Sequence, residues 1–113
     1  MKINDYSEKA MTTDLFENDG KIASPALLEK VFGLVGEAGE VAEKFKKILR
    51  DKGGEASDED KKEIAKELGD VLWYVNSVGN YLGYPLEEIA QMNLDKVTNR
   101  KERGVTQGSG DNR

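Results

Sequence analysis

The chain carries one acidic pattern twice, each time beside a row of apolar residues that repeats with the period of a helix. The two copies are Glu37-x-x-Glu40 and Glu67-x-x-Asp70. Residues three apart lie on the same side of a helix, so the two carboxylates of each copy repel each other at a cost of about 0.2–0.5 kcal/mol. A cation among all four would remove that repulsion. The pattern therefore predicts helices that gather the four carboxylates around a metal ion.

The angular position of the acidic pairs predicts how their helices pack. At about 100° per residue, the first acidic residue of each pair lies about −100° from the centre of its apolar row, and the second about −160°. Antiparallel helices reverse the sense of rotation, so equal offsets bring both pairs to one side of a hairpin. The first apolar row comprises Leu27, Leu28, Val31, Leu34, Val35, Ala38, Val41, Ala42, Phe45, Ile48 and Leu49, and the second Ile64, Leu68, Val71, Leu72, Val75 and Val78.

A glycine pair lies where this hairpin needs its turn. The point midway between Glu37 and Asp70 falls within Gly53-Gly54, and the other two acidic residues share that midpoint. Glycine ends helices because it adopts the left-handed conformation at little steric cost. Ser57 followed by Asp60, or Asp58 itself, can cap the helix that follows. Register and turn chemistry both predict a central antiparallel helix hairpin.

The rest of the chain completes an all-α, four-helix bundle. We expect a short helix over 4–17, a loop over 18–24, the two long helices over 25–51 and 58–82, and a fourth helix from Pro85 to about Gly104. No segment has the two-residue alternation of a strand. Residues 1–104 are predicted to form one domain, and residues 105–113, which are polar and glycine-rich, a flexible tail.

Composition limits both the metal and the partners. The chain has no His and no Cys, so its carboxylate oxygens favour Mg²⁺, or Mn²⁺ in its place, over zinc, haem or iron–sulfur groups. A net charge of −5 argues against nucleic acid or an anionic membrane as the partner. With no apolar run of membrane-spanning length and no signal-peptide pattern, a cytoplasmic location is expected.

The fourth helix offers the opposite charge. Asn93, Lys96, Arg100 and Arg103 follow one another at helical spacing within an arc of about 80°. Asn93 falls in the apolar row of that helix, so we expect a buried amide that bonds to a ligand or to backbone. Lys96 and Arg100 suit phosphate, although they could merely complement the helix dipole. Carboxylates with metal beside cations describe a polyphosphate site.

Two residues of the hairpin are further candidates for substrate contact. Lys44 and Tyr74 both lie about −120° from the centres of their apolar rows, on the same side as the acidic pairs. Lys44 could orient the carboxylates or touch phosphate, and Tyr74, one turn beyond Asp70, could contact the sugar or base. Trp73 faces away, towards the core or a subunit interface.

The stretch from Leu34 to Arg103 resembles the MazG-like all-α nucleoside triphosphate pyrophosphohydrolases, which include dCTP pyrophosphatases and dimeric dUTPases. The resemblance rests on GEAGE, a spacer of 26 residues between Glu40 and Glu67, ELGD, and N-x-x-K-x-x-x-R. It implies hydrolysis of an NTP or dNTP to the monophosphate and pyrophosphate with Mg²⁺, in a homo-oligomer that is a tetramer or a dimer. It also implies that the metal ligands and catalytic carboxylates are Glu37, Glu40, Glu67 and Asp70.

Other classes of function remain open at the level of sequence. An E-x-x-E pair is most often a solvated helix face, so a non-catalytic helical interaction module needs only the apolar rows. A nucleotide sensor would bind without hydrolysis. A di-iron carboxylate bundle is disfavoured because it uses Glu-x-x-His on facing helices, and the chain has no His.

Overall fold

The computed structural model describes residues 1–104 and 108–112. Over these residues the chain forms four helices and no strand: α1 (Ile3–Met11), α2 (Pro25–Lys52), α3 (Asp58–Leu82) and α4 (Leu86–Glu102). The predicted all-α class and the central α2–α3 hairpin are confirmed. Every helix in the described part of the chain is too short or too polar to cross a membrane.

The ends of the hairpin helices follow from local chemistry. The Ser24 hydroxyl accepts a hydrogen bond from the Leu27 N–H at 3.1 Å, and Pro25 occupies the first turn of α2. Gly53 ends α2 in the left-handed conformation, with φ of 60°. Ser57 and Asp60 then cap α3 reciprocally, since each side chain accepts the other's backbone N–H, at 3.1 and 3.0 Å.

Only part of each apolar row is covered by the hairpin. The inner residues recur every seven positions and are buried or half-buried, as expected for antiparallel helices that pack along a narrow seam. The outer residues are exposed, which leaves a broad apolar face on the α2–α3 hairpin. The inner residues are Leu27, Leu34, Val41 and Ile48 on α2 and Ile64, Val71 and Val78 on α3. The exposed ones are Leu28, Val31, Phe32, Val35, Phe45, Leu49, Leu68 and Leu72.

The two short helices dock onto α3 and onto each other, and among the described residues neither packs against α2. A pair of hydrogen bonds joins α1 to α3: the Ser7 hydroxyl donates to Asn76 Oδ1 at 2.6 Å, and Asn76 Nδ2 donates to the Ser7 carbonyl at 3.1 Å. Asn76 is 1% exposed, and its amide both accepts a hydrogen bond from α1 and donates one to it.

The first helix ends at Met11, and the predicted extension to residue 17 was wrong. The hydroxyls of Thr12 and Thr13 donate to the carbonyls three residues earlier, at 2.6 and 2.7 Å. These side-chain bonds compete with the backbone bonds of a helix and favour a turn.

The segment after α1 is held onto the hairpin by a buried lysine. Lys30 is 2% exposed, and its ammonium lies 2.9 Å from Asp14 Oδ1 and 2.5 Å from Glu29 Oε2. The same ammonium lies 4.5 Å from the centre of the Phe16 ring, a favourable cation–π distance. The Tyr81 hydroxyl donates to Asp14 Oδ2 at 2.7 Å. Together these contacts satisfy a charge that burial alone would make costly.

Candidate functional site

Three of the four predicted carboxylates meet on one flank of the hairpin. Glu37, Glu67 and Asp70 each offer an oxygen, and these oxygens lie within 4.8 Å of one another. Glu40 is exposed and lies outside this trio, one turn further along α2. The antiparallel register that the sequence predicted therefore brings residues from both helices together.

The trio creates a strongly negative region. Burial, followed by the negative charges of the other three acidic residues, raises the pKa of the Glu37 carboxyl above its ordinary value. Burial and the charge of Asp70 also raise the pKa of the Tyr6 hydroxyl. Tyr6 of α1 is therefore a neighbour of the site that the sequence pattern did not reveal, because nothing in α1 marks which face of the hairpin it will meet.

The donor set fits a hard divalent cation. All the clustered atoms are carboxylate oxygens, the ligands preferred by Mg²⁺ and Mn²⁺. Glu37 and Glu67 are half-buried and Asp70 is exposed, so one side of the trio faces solvent. That open side leaves room for the waters that Mg²⁺ retains and for a phosphate group.

Tyr74 lies one turn along α3 from Asp70, packed against α2 at Gly33. A Cβ atom at residue 33 would lie 2.8 Å from Cδ1 of Tyr74 and closer still to two other ring carbons. Trp73 meets the Tyr74 ring edge-on, at 4.9 Å between centroids, and donates from Nε1 to the Thr13 hydroxyl at 2.9 Å. Trp73 thus tethers the segment after α1. The prediction that Tyr74 contacts the sugar or base stays a prediction.

Lys44 lies on the same flank, one turn beyond Glu40 towards the hairpin turn, and is half-buried. Its charge reaches across to Glu63 of α3, whose pKa is lowered mainly by the hydrogen bond and charge of Lys66 and also by Lys44. A cavity of about 200 Å³ adjoins this point, lined by Lys44, Lys47, Ile48, Asp51, Lys52, Asp60 and Glu63. The acidic flank is therefore continued by a mixed-charge region.

The polar residues of α4 are placed differently from one another. Asn93 is exposed, so the expectation of a buried amide was wrong: the apolar row of α4 is buried at Leu86 and half-buried at Ile89, but beyond Asn93 it is open to solvent at Val97. Lys96 Nζ lies 2.5 Å from Asp111 Oδ1 in the tail. Arg100 is buried, and its Nη2 donates to the backbone carbonyls of Gly110 and Asp111.

Within the described part of the chain, α4 does not pack against α2. No direct contact between these two helices therefore brings Lys96 and Arg100 beside Glu37 and Glu40. Of the predicted tail, residues 105–107 and 113 lie outside the described residues, and residues 108–112 are exposed. The contact of Asp111 with α4 was not predicted. The sequence feature that could have indicated this contact is the acidic residue of GSGDNR, which follows shortly after the basic C-terminal end of α4.

Comparison with known proteins gives a family for this fold and site. The model of the MazG nucleotide pyrophosphohydrolase domain matches residues 27–105, a stretch that includes all four predicted carboxylates and the cations of α4. Gene 37 protein of Mycobacterium phage L5 is 47% identical over 114 residues, covering 100% of both chains. No solved structure is significantly similar to the chain. With three of the four hallmark carboxylates gathered on an antiparallel helix hairpin, the chain belongs to the MazG nucleotide pyrophosphohydrolase family.

Proposed function

We propose that the protein is a Mg²⁺-dependent nucleoside triphosphate pyrophosphohydrolase, which converts an NTP or dNTP and water into the monophosphate and pyrophosphate. The observation that carries the proposal is the trio of carboxylate oxygens from Glu37, Glu67 and Asp70, within 4.8 Å of one another in a MazG-family chain. Removal of unwanted nucleotides from the cellular pool is the biological role that this activity would serve.

Each candidate residue has a chemical task in this proposal. Mg²⁺, or Mn²⁺, held by the four carboxylates would neutralise the triphosphate and lower the pKa of the attacking water. Glu37 or Glu40 would orient that water and accept its proton for in-line attack at the α–β linkage. Lys96, with Asn93 and Arg100, would stabilise the charge that develops on the departing pyrophosphate.

Lys44 and Tyr74 would contact the substrate on either side of the carboxylates. Lys44 lies one turn from Glu40 and would reach phosphate, whereas Tyr74 lies one turn from Asp70 and would contact the sugar or base. Because the Tyr74 ring already packs on α2 at Gly33, its position in the site would be set by the hairpin itself.

We also propose that the protein works as a homo-oligomer, either a tetramer or a dimer. The outer apolar residues of the hairpin support this: Phe32, Val35 and Leu49 are 71%, 67% and 70% exposed. A groove of about 670 Å³ at the hairpin end continues this surface, lined by Ala42, Phe45, Lys46, Ile48, Leu49, Gly54, Ala56, Lys61 and Ile64. Apolar surface of this extent is typical of a protein interface.

A screen of the common NTPs and dNTPs with Mg²⁺, measuring pyrophosphate and monophosphate together, tests the activity. We expect equal amounts of the two products from at least one nucleotide. Asp70→Asn should abolish turnover, while Glu43→Gln, which removes the same charge from an exposed position on α2, should retain it. Binding of nucleotide without any product would identify a sensor instead and contradict the proposal, as would full activity in Asp70→Asn.

A further inference from the structure

The carboxylate of Asp111 lies on the cations that the proposed function assigns to phosphate. Asp111 Oδ1 is 2.5 Å from Lys96 Nζ and 3.5 Å from Arg100 Nη2. Lys96, first through its hydrogen bond and then through its charge, lowers the pKa of the Asp111 carboxyl, so this group is ionised at neutral pH. A carboxylate and a phosphate present the same kind of anionic oxygen to lysine and arginine.

Arg100 has the features of an anion-binding residue with unused capacity. Its side chain is 9% exposed, and its Nη2 donates to the backbone carbonyls of Gly110 and Asp111 as well as facing the Asp111 carboxylate. Its Nε atom is buried and has no hydrogen-bond partner among the residues that the structure describes. A buried donor without a partner costs free energy, and an additional anionic oxygen would satisfy it.

The backbone of the tail and the side chain of Asp111 make different contacts with Lys96 and Arg100. The backbone carbonyls at 110 and 111 hold Arg100, and they do not depend on the Asp111 side chain. Within the described part of the chain, Lys96 pairs with the Asp111 carboxylate. The side chain of Asp111 is 73% exposed and that of Lys96 is 35% exposed. Water therefore reaches this ion pair, and an incoming anion can displace the Asp111 carboxylate.

We propose that Asp111 is an intramolecular competitor of the substrate: its carboxylate occupies the anion site formed by Lys96 and Arg100, and a phosphate group must displace it in order to bind. This inference rests on the proposed function for its assignment of Lys96 to phosphate. The tail thereby weakens the binding of triphosphate and of product pyrophosphate alike, and favours product release.

The expected effect is modest because the ion pair is exposed. An exposed pair of this kind favours the closed state over the open one by about 1.4- to 5-fold. A ligand that binds only the open state is then weakened by about two- to six-fold.

The test measures the binding of inorganic pyrophosphate in the presence of Mg²⁺ by titration calorimetry. Asp111→Asn removes the charge but keeps the backbone carbonyls that hold Arg100, and its Kd should fall by about two- to six-fold. Asp111→Glu should keep the wild-type Kd. Glu88→Gln controls for net charge, since it removes one negative charge from α4 about 12 Å along the axis from Lys96, and should leave Kd nearly unchanged.

Lys96→Ala distinguishes competition from a general charge effect. It should weaken pyrophosphate binding, and adding Asp111→Asn to it should give little further change, because the competitor has lost the nearer of its two cations. Unchanged or weaker pyrophosphate binding by the single variant Asp111→Asn would overturn the inference. So would the absence of pyrophosphate binding to both the wild-type protein and Asp111→Asn. Absence of turnover with every nucleotide would instead overturn the proposed function, and the pyrophosphate comparison would still report on Asp111.

Discussion

The ring of Tyr74 occupies the space that a Cβ atom would fill at Gly33. Glu37 follows Gly33 by four residues and Asp70 precedes Tyr74 by four, so on antiparallel helices the close approach lies one turn from the carboxylates. A glycine on α2 thus lets the two helices come together where the site begins.

Gly33→Ala should destabilise the hairpin despite alanine's better helix propensity. Overpacking costs about 1–3 kcal/mol, and the gain in propensity is at most about 1 kcal/mol. Gly36→Ala is the matched control, since a Cβ there meets no atom of the described residues within 4 Å and should stabilise α2. Urea unfolding measures both, and equal stability of the two variants would show that the Tyr74 ring moves aside without cost.

Mg²⁺ should raise the melting temperature, because a ligand that binds only the folded state stabilises it by mass action. At ten times Kd the gain is about 1.4 kcal/mol. Glu40→Gln and Asp70→Asn should keep the helical circular dichroism signal and lose turnover, and Asp70→Asn should also lose most of the Mg²⁺-dependent gain. A metal effect of wild-type size in Asp70→Asn would place the ion elsewhere.

Tyr81→Phe should alter the dependence of stability on alkaline pH. Burial, together with the hydrogen bond to Asp14, raises the pKa of Tyr81 to about 12. The folded state therefore holds this proton more tightly than the unfolded state, in which the pKa of tyrosine is about 10. Stability from this difference is present below pH 10 and is lost as pH rises towards 12.

Tyr81→Phe should reduce the loss of folding stability at alkaline pH. At pH 7 it should cost about 1.5–3 kcal/mol, because the Asp14 carboxylate loses a donor. Tyr84→Phe, at a tyrosine that is 45% exposed, is the control. Denaturant unfolding at a series of pH values measures both effects, and an alkaline loss in Tyr81→Phe equal to that of the wild type would contradict the assignment.

Charge on the outer apolar face should disrupt assembly. Val35→Glu and Phe45→Glu place a carboxylate on residues that are 67% and 59% exposed in the single chain, and we expect both to yield monomers. Leu15→Glu is the control, because Leu15 is 96% exposed and lies in the segment after α1, not among the outer apolar residues of α2 and α3. Light scattering at micromolar concentration gives the masses, and a monomeric wild-type protein would refute the oligomer.

Lys96→Ala should lower kcat/KM by tens- to several-hundred-fold for every accepted nucleotide, the effect of about 2–4 kcal/mol of lost stabilisation of charge on pyrophosphate. Its melting temperature should change little, since its partner Asp111 is exposed. Lys101→Ala, in the last turn of the same helix, removes a similar contribution to the dipole. If Lys96→Ala kept the wild-type kcat/KM, α4 would serve only as a scaffold.

Tyr74→Ala should instead change the ranking of kcat/KM among nucleotides with different bases.

The parts of the fold that were predicted correctly depend on local chemistry. The Ser57-x-x-Asp60 cap, the left-handed Gly53 and the angular offset of the carboxylates are all encoded within a few residues of where they act. The trio of Glu37, Glu67 and Asp70 follows once those helices are antiparallel. The division of the chain at residue 104 and the roles of the site residues stay predictions.

The parts that were not predicted depend on what covers a surface. Periodicity places Asn93 on the apolar face of α4, but that face is buried only at its start, at Leu86, and Val97 further along it is 44% exposed. Lys30 is buried among partners from distant segments, Asp14 and Phe16 among them, which no local pattern links to it. Composition and period show which side chains share a face, and packing decides whether that face is buried.

The Gly53-Gly54 turn has a consequence for how such a site can vary in length. Glu37 meets Asp70 because the two lie equally far from the glycine turn and on matching flanks of antiparallel helices, so the site depends on the rotational phase of each helix as well as on distance from the turn. Residues added to the exposed turn between α2 and α3 would lengthen the spacer and leave the phase intact. A single residue inserted within α2 after Glu40 would rotate the acidic pair by about 100° and turn it away from α3.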